Sequence, residues 1–370
     1  MKKIFKTKML CRLFVSAIVL SSCENNKEED PNPVTPIVEP TPVEYTNGVF
    51  VTCEGPFMTG TGTVSYYSRS NGTVYNDLFN SANSLPLGNL VQSMTISNSK
   101  GYVVVNNADK IEVVNSTDFK SLAKISGLSL PRYLLAVNAN KAYVSQWGSS
   151  GVGKGVRVVD LTNNTAGALI PAGNGPEKML QNGNLVYVVN SGGLDFDSTV
   201  TVINSNNDAV VANLVVGDNP NSIVMDKNGK IWVLCGGIID YVTPANGIPG
   251  KLVRIDPTSN TVEASFTFVS HSEHPLNLCT NTTKDKLYFL GNLYSLGSLY
   301  AMDITAGALP TTPLINRNFY SLGIDPVTNQ IFAGYAPTFS STGWVLRYSP
   351  AAALLDSFQV GIIPSGFCFQ

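Results

Sequence analysis

Seven copies of one unit run through this chain, and that repeat constrains the fold more than any other feature. Each copy opens on an apolar segment with an aromatic near its start: Phe50, Tyr102, Tyr143, Tyr187, Trp232, Tyr288 and Phe332. A loop, often Gly-bearing, leads to an alternating segment: GTVSYYS, DKIEVVN, KGVRVVD, STVTVIN, GKLVRID, GSLYAMD and GWVLRYS. A turn and another apolar segment follow, often ending in Gly and then Pro. Four strand-like segments at a period of about 40–55 residues predict an all-β, seven-bladed β-propeller with four-stranded antiparallel blades. Such a scaffold works through loops on one face.

The turn before each unit is anchored at Val91, Pro131, Pro176, Pro220, Pro275, Phe319 and Pro364, with spacings of 40, 45, 44, 55, 44 and 45 residues. The long spacing holds a Pro- and Gly-rich insertion, Ile239 to Gly250, expected as a protruding loop of blade five. The first unit lacks the strand that should precede Phe50, and Ser365–Gln370 is left over after the last anchor. The C-terminal strand is therefore expected to complete blade one and close the ring, which removes an open sheet edge. Closure would put Cys368 and Cys53 on adjacent strands.

With strands a (innermost) to d alternating in direction, the d-to-a connections and the b-to-c loops emerge on the same face. The first ring of loops contributes Gln92, Arg132, Tyr133, Glu177, Lys178, Asn221, Ser222 and Tyr320. The second contributes Glu54, Phe57, Asn106, Asn107, Gln146, Trp147, Asn190, Ser191, Asn292 and Tyr335. Amides and aromatics dominate, and a wide concave face lined this way is the default binding site. The candidate ligand-binding set is Glu54, Gln92, Asn106, Arg132, Gln146, Trp147, Glu177, Asn190, Asn221, Asn292, Tyr320 and Tyr335. Arg132 and Glu177 follow Pro in consecutive blades, so they read either as a blade-to-blade ion pair or as ligand contacts. Trp147 lies past the core position of Tyr143, in a loop, and is expected to be wet unless a ligand covers it or it folds onto its own Gly-rich loop.

The start of the chain reads as an address. Lys2, Lys3, Lys6, Lys8 and Arg12 precede an apolar run, Leu13 to Leu20, too short to span a bilayer. Residues 1–22 are expected to be a signal peptide, and Leu20-Ser21-Ser22-Cys23 looks like a bacterial lipobox that lipidates Cys23. Residues 23–46 continue as an acidic run, Glu24 to Asp30, and a stalk with five prolines between Pro31 and Pro42. The propeller is expected over 47–370. The acidic run reads as a surface-export signal or as a plain solvated spacer. The expected location is the outer membrane, exposed at the cell surface, with the membrane touched only through the lipid.

From Tyr45 onward 18 basic and 20 acidic residues remain, a net charge of −2. No basic field offsets a phosphate backbone, so nucleic acid is not an expected partner. Only 14% of residues are charged, against about 25% in typical domains. Polar but uncharged surfaces suit ligands held by hydrogen bonds and stacking.

Signs of catalysis are few. The two histidines, His271 and His274, flank Glu273 in an inter-blade turn without a third ligand at useful spacing. The Gly-rich stretches Gly151–Gly155 and Thr59–Thr63 precede no helix, so they are not phosphate cradles. No Gly-x-Ser-x-Gly elbow is present. Asp160, Asp256 and Asp303 end strands before turns and are expected to cap them. Cys53, Cys235, Cys279 and Cys368 show no CxxC spacing and read as buried thiols. No enzyme activity and no required cofactor are expected.

The segments PEKM, PNSIVMD, KIWVLCGG and GVRVVDLTN resemble YncE-like seven-bladed propellers. With the lipobox, acidic run, Pro-rich stalk, Asp109–Val114 and Pro131-Arg132-Tyr133, the chain is similar to BtuG-type surface lipoproteins of Bacteroidota. That resemblance implies capture of cobalamin or a related corrinoid and transfer to a TonB-dependent outer-membrane transporter. The bare architecture serves equally for a propeller that binds a glycan, peptide or protein. A metal-dependent lactonase-like hydrolase is the third expectation, with only Glu54, Glu177 and His274 to offer.

Overall fold

The computed structural model describes residues 43–149, 153–293 and 296–370. The expected signal peptide, Cys23, the acidic run and the Pro-rich stretch Pro31 to Pro42 lie outside these residues. Seven four-stranded antiparallel sheets follow one another as blades. Their inner strands are Pro364–Phe369, Val91–Ser97, Pro131–Ala136, Pro176–Asn182, Pro220–Met225, Leu276–Thr280 and Ser321–Ile324, each in contact with the next around the axis.

Burial follows position in the blade. Second strands such as Gly48–Cys53 are buried along their whole length, because both faces pack against neighbouring blades. Outer strands such as Ala209–Val215 alternate between half-buried and exposed. All seven repeat aromatics are buried at the blade interfaces. Three of them bond their polar ends across or within a blade: Tyr143 Oη donates to Asp208, Tyr187 Oη to Asn260 Oδ1 at 2.6 Å, and Trp232 Nε1 to Asp226 Oδ2 at 2.8 Å.

The chain closes as the repeat count requires. Pro364–Phe369 is the inner strand of the first sheet, paired with Gly48–Cys53. Cys368 stands opposite Phe50 and Cys53 opposite Pro364. The two thiols share adjacent strands but sit about 10 Å apart along them, too far to bond; both are free. Burial pushes each thiol up to about 12. Closure is sealed by Arg69, which donates to both carboxylate oxygens of Asp325, at 2.7 and 3.0 Å, and to the Gln370 carbonyl.

Two features go beyond the repeat. The outer strand of blade one is only Val74–Tyr75, and the helix Leu78–Asn83 follows it with Leu78 and Phe79 buried. Tyr45, two residues ahead of the expected propeller start, packs on Tyr66 with ring centroids 4.9 Å apart. The turn aspartates behave as expected at Asp160 and Asp256, which accept backbone N–H bonds from Thr162 and Thr258.

Candidate functional site

The inner strands begin irregularly. In blades one to six the pairing register shifts within the first residues after the anchor, a β-bulge at the start of each inner strand. Pro favours this place, since it cannot donate to the ladder. Bulges re-aim side chains, and Gln92, Arg132, Glu177, Asn221 and Asn277 all occupy these bulged positions.

Arg132 is the centre of this arrangement. Its Nε donates to Glu177 Oε1 at 2.8 Å in blade four, its Nη1 donates to Gln92 Oε1 in blade two, and its guanidinium lies 4.1 Å over the Trp147 ring. Burial acts against the Arg132 charge, but Glu177 outweighs it and the pKa goes up. For Glu177 burial wins over Arg132 and the carboxyl is raised. Glu54 accepts a hydrogen bond from Tyr320 Oη at 3.0 Å. Burial raises Glu54 despite that bond, and burial together with Glu54 pushes Tyr320 well above its usual range.

Trp147 is half-buried rather than wet. Among the described residues it packs on the next blade; residues 150–152 of its own loop lie outside the described residues. Gly193 and Gly175 make room: a Cβ on Gly193 would sit 3.1 Å from Trp147 Cδ2, and one on Gly175, which has φ +56°, 2.0 Å from Gly193 N. The indole N–H is near enough to Glu177 to lower its pKa, yet it is buried without a well-placed hydrogen bond among the described residues.

Over blades three to six these groups border a cavity of about 650 Å³ on the loop face. Arg132, Trp147 and Glu177 form one wall, Asn221 and Asn277 the side toward the axis, and Phe196 and Tyr241 the rim. Phe196 and Tyr241 are 67% and 73% exposed. Beneath it an axial channel of about 370 Å³ runs between the inner strands, and Tyr133, Lys178 and Asn277 border both spaces. A third cleft of about 450 Å³, apolar and lined by Phe266, Phe268 and Tyr300, lies between blades five and six and holds none of the candidate residues.

The candidates separate into groups. Arg132, Trp147, Glu177 and Asn221 meet at the cavity, and Gln92 borders the channel. Glu54 and Tyr320 pair with each other between blades one and seven. Gln146 and Asn190 are fully buried, Gln146 donating to the Gly153 carbonyl and Asn190 to Thr199 and Thr201 at 3.0 Å each. Asn106 is a latch, donating to the Pro131 carbonyl of the next blade at 3.0 Å. Asn221 and Asn277 make the same kind of bond, to Pro275 and Tyr320. Tyr335 lines an outer cleft under Arg317. Asn292 falls within the strand Lys286–Leu293, opposite Gly297, instead of in a loop.

Asn277, Phe196 and Tyr241 were absent from the candidates. Asn277 follows an anchor Pro by two residues, and Phe196 and Tyr241 are aromatics inside Gly/Asp-rich loops, the one available signal for them. The Nδ1 atoms of His271 and His274 lie 2.5 and 2.7 Å from the carbonyls of Gly247, in the blade-five insertion, and of Gly236, just before it. Among the described residues no group of three His, Cys, Asp or Glu could hold a metal ion.

One family model matches residues 47–360, described as a domain of unknown function, DUF5074. The chain belongs to that family. No curated protein matches. Among solved structures the chain is similar to a quinoprotein alcohol dehydrogenase-like protein of Bacteroides thetaiotaomicron, at 17% identity and TM-score 0.64, covering 88% of this chain and 79% of that one. A putative 6-phosphogluconolactonase of Bacteroides fragilis aligns at 12% identity and TM-score 0.60 over 92% and 99% of the two chains. The extracellular domain of a putative one-component system of B. thetaiotaomicron aligns at 15% and TM-score 0.59, over 83% of this chain and 42% of that one. At these identities the likeness shows the fold alone.

Proposed function

We propose that this propeller is a surface lipoprotein that binds cobalamin or a related corrinoid on its loop face, without chemical change, and passes it to a TonB-dependent outer-membrane transporter. The observation that carries the reading is the cavity of about 650 Å³, walled by Trp147, Arg132 and three asparagines and rimmed by exposed aromatics. Its volume lies within the range of small-molecule sites, about 300–1,000 Å³. A corrinoid offers a broad flat ring edged with carboxamides. The ring suits stacking on Phe196 and Tyr241, and the carboxamides suit Asn and backbone partners. The lipobox and acidic run support the surface location, and the YncE- and BtuG-like segments support the ligand class.

Calorimetric titration with cyanocobalamin tests this. One saturable site per chain is expected, with red colour retained on the purified protein. No heat at tens of µM, where a ~1 µM site binds strongly, would overturn the corrinoid reading. A second reading, a protein partner without a small ligand, is favoured by the exposed apolar loop residues Phe57, Met58, Leu194 and Val242, at 67%, 73%, 79% and 92%. Protein capture that survives saturating cyanocobalamin would support it.

A further inference from the structure

We propose that the axial channel is an anion site, taking one carboxylate or phosphate group with Lys178 as its counter-charge. The channel of about 370 Å³ is lined by hydroxyls, amides and apolar side chains, and Lys178 is its one ionic lining residue. Some lysines of the body reach carboxylates: Lys110 reaches Glu112 at 2.9 Å, Lys141 reaches Asp208 at 2.7 Å and Lys230 reaches Glu263 at 2.9 Å. Lys178 is one of several that do not, and it alone of those lines the channel. Its Nζ lies 5.9 Å from the Tyr133 ring centre, with no acceptor in hydrogen-bonding range among the described residues.

The neighbouring carboxylates are already taken. Glu177 is held by Arg132 and Glu54 by Tyr320. Lys178 nevertheless acts on its surroundings, since its charge lowers the pKa values of Tyr133, Glu177 and Cys279 against the rise that burial imposes. A half-buried cation lining the channel, with three donors and no acceptor, is an incomplete pair that an oxyanion completes with charge-assisted hydrogen bonds. Thr280, another hydroxyl of the lining, offers a further donor from the strand Leu276–Thr280. Lys178, Tyr133 and Asn277 also border the cavity above, so the anion arrives either free or as an acidic arm of a ligand seated there. The site stands on its own geometry and does not depend on the corrinoid reading.

Inorganic phosphate and acetate are the probes, titrated into the purified protein at low ionic strength. Saturable binding with a Kd near ~1 mM (about 4 kcal/mol) is expected for at least one. Lys178→Gln weakens it at least tenfold, while Lys178→Arg keeps it within about threefold. A lysine-selective NMR spectrum of the unaltered protein shows one Nζ signal moving with phosphate, assigned through Lys178→Arg, so the test survives a variant that fails to fold. No saturation by either anion at tens of mM, equal affinity in Lys178→Gln, or no moving lysine signal would overturn the proposal. The source is read by competition. Phosphate that displaces cyanocobalamin, which carries a phosphodiester, but not dicyanocobinamide, which lacks it, assigns the site to a ligand arm. Phosphate binding that leaves both corrinoids undisturbed assigns it to a free anion.

Discussion

Two arginine–carboxylate pairs tie blades together on opposite faces of this propeller, and they differ in completeness. On the face of the a-to-b turns, Arg69 and Asp325 are bidentate, and Asp325 also receives Val327 N–H and Thr328 Oγ1 at 2.9 Å each. Burial acts to raise the Asp325 carboxyl, but these partners outweigh it and hold it below the usual carboxylate range. On the loop face, Arg132 meets Glu177 through one nitrogen, and a second acid, Glu54, stands near enough to feel its charge. Trp147 Nε1 there forms no well-placed hydrogen bond among the described residues, and both acids are raised, chiefly by burial. The first pair is finished structure. The second keeps spare hydrogen-bonding capacity beside a cavity, as a binding surface would.

The sharpest break of this contrast is at the closure. Asp325→Ala strands a buried guanidinium and should cost about 3–5 kcal/mol, read by denaturant unfolding, with ligand binding per folded molecule unchanged. Arg132→Leu should cost less stability, about 2 kcal/mol, because Glu177 escapes its isolation by taking a proton. The same change should weaken cyanocobalamin at least tenfold by calorimetry. Trp147→Ala should lower stability by about 1 kcal/mol, mainly through the lost Arg132 contact, and weaken the same ligand about tenfold, or 1.4 kcal/mol.

The smallest effect is the dependence on pH. Glu54 and Glu177 have raised folded-state pKa values, so the native state binds more protons than the unfolded chain. Their stabilising effect is full below the unfolded value of about 4.3 and is lost as pH rises through the folded values. Asp325 is lowered, so its contribution is present above about 3.9 and lost as pH falls through its folded value. Glu54→Gln keeps the acceptor for Tyr320 and should flatten the stability profile on the alkaline side of pH 4.3 alone, with a small gain at pH 7.5. Asp325→Asn should flatten it below 3.9. Chemical unfolding from pH 3 to 8 reads both, and the same slope change in the two variants would contradict the comparison.

The architecture was legible because it rests on periodicity. Seven aromatics near the starts of second strands predicted seven buried side chains, and a strand missing at Phe50 against one left over at Pro364 predicted closure. The site was legible only in part. Loop order places Gln92, Arg132 and Glu177 on one face, and their bulges bring them together. Repeat phase does not say whether an amide at a strand end faces the cavity or latches the next blade, and Asn106, Gln146 and Asn190 do the latter or bond inside their own blade. The side chain of Trp147 is placed by Gly175 and Gly193 of the following blade, about 30–45 residues away, which no local pattern encodes.

Hydrogen–deuterium exchange with and without cyanocobalamin tests most directly whether the loop-face cavity is the binding site. The account predicts slowed exchange in the loops around 191–196 and 236–241 and at the bulges of 132–133 and 177–178, with the turns at Arg69 and Asp325 unchanged. Protection confined to the opposite face or to the cleft between blades five and six, or no protection at saturating ligand, would contradict it.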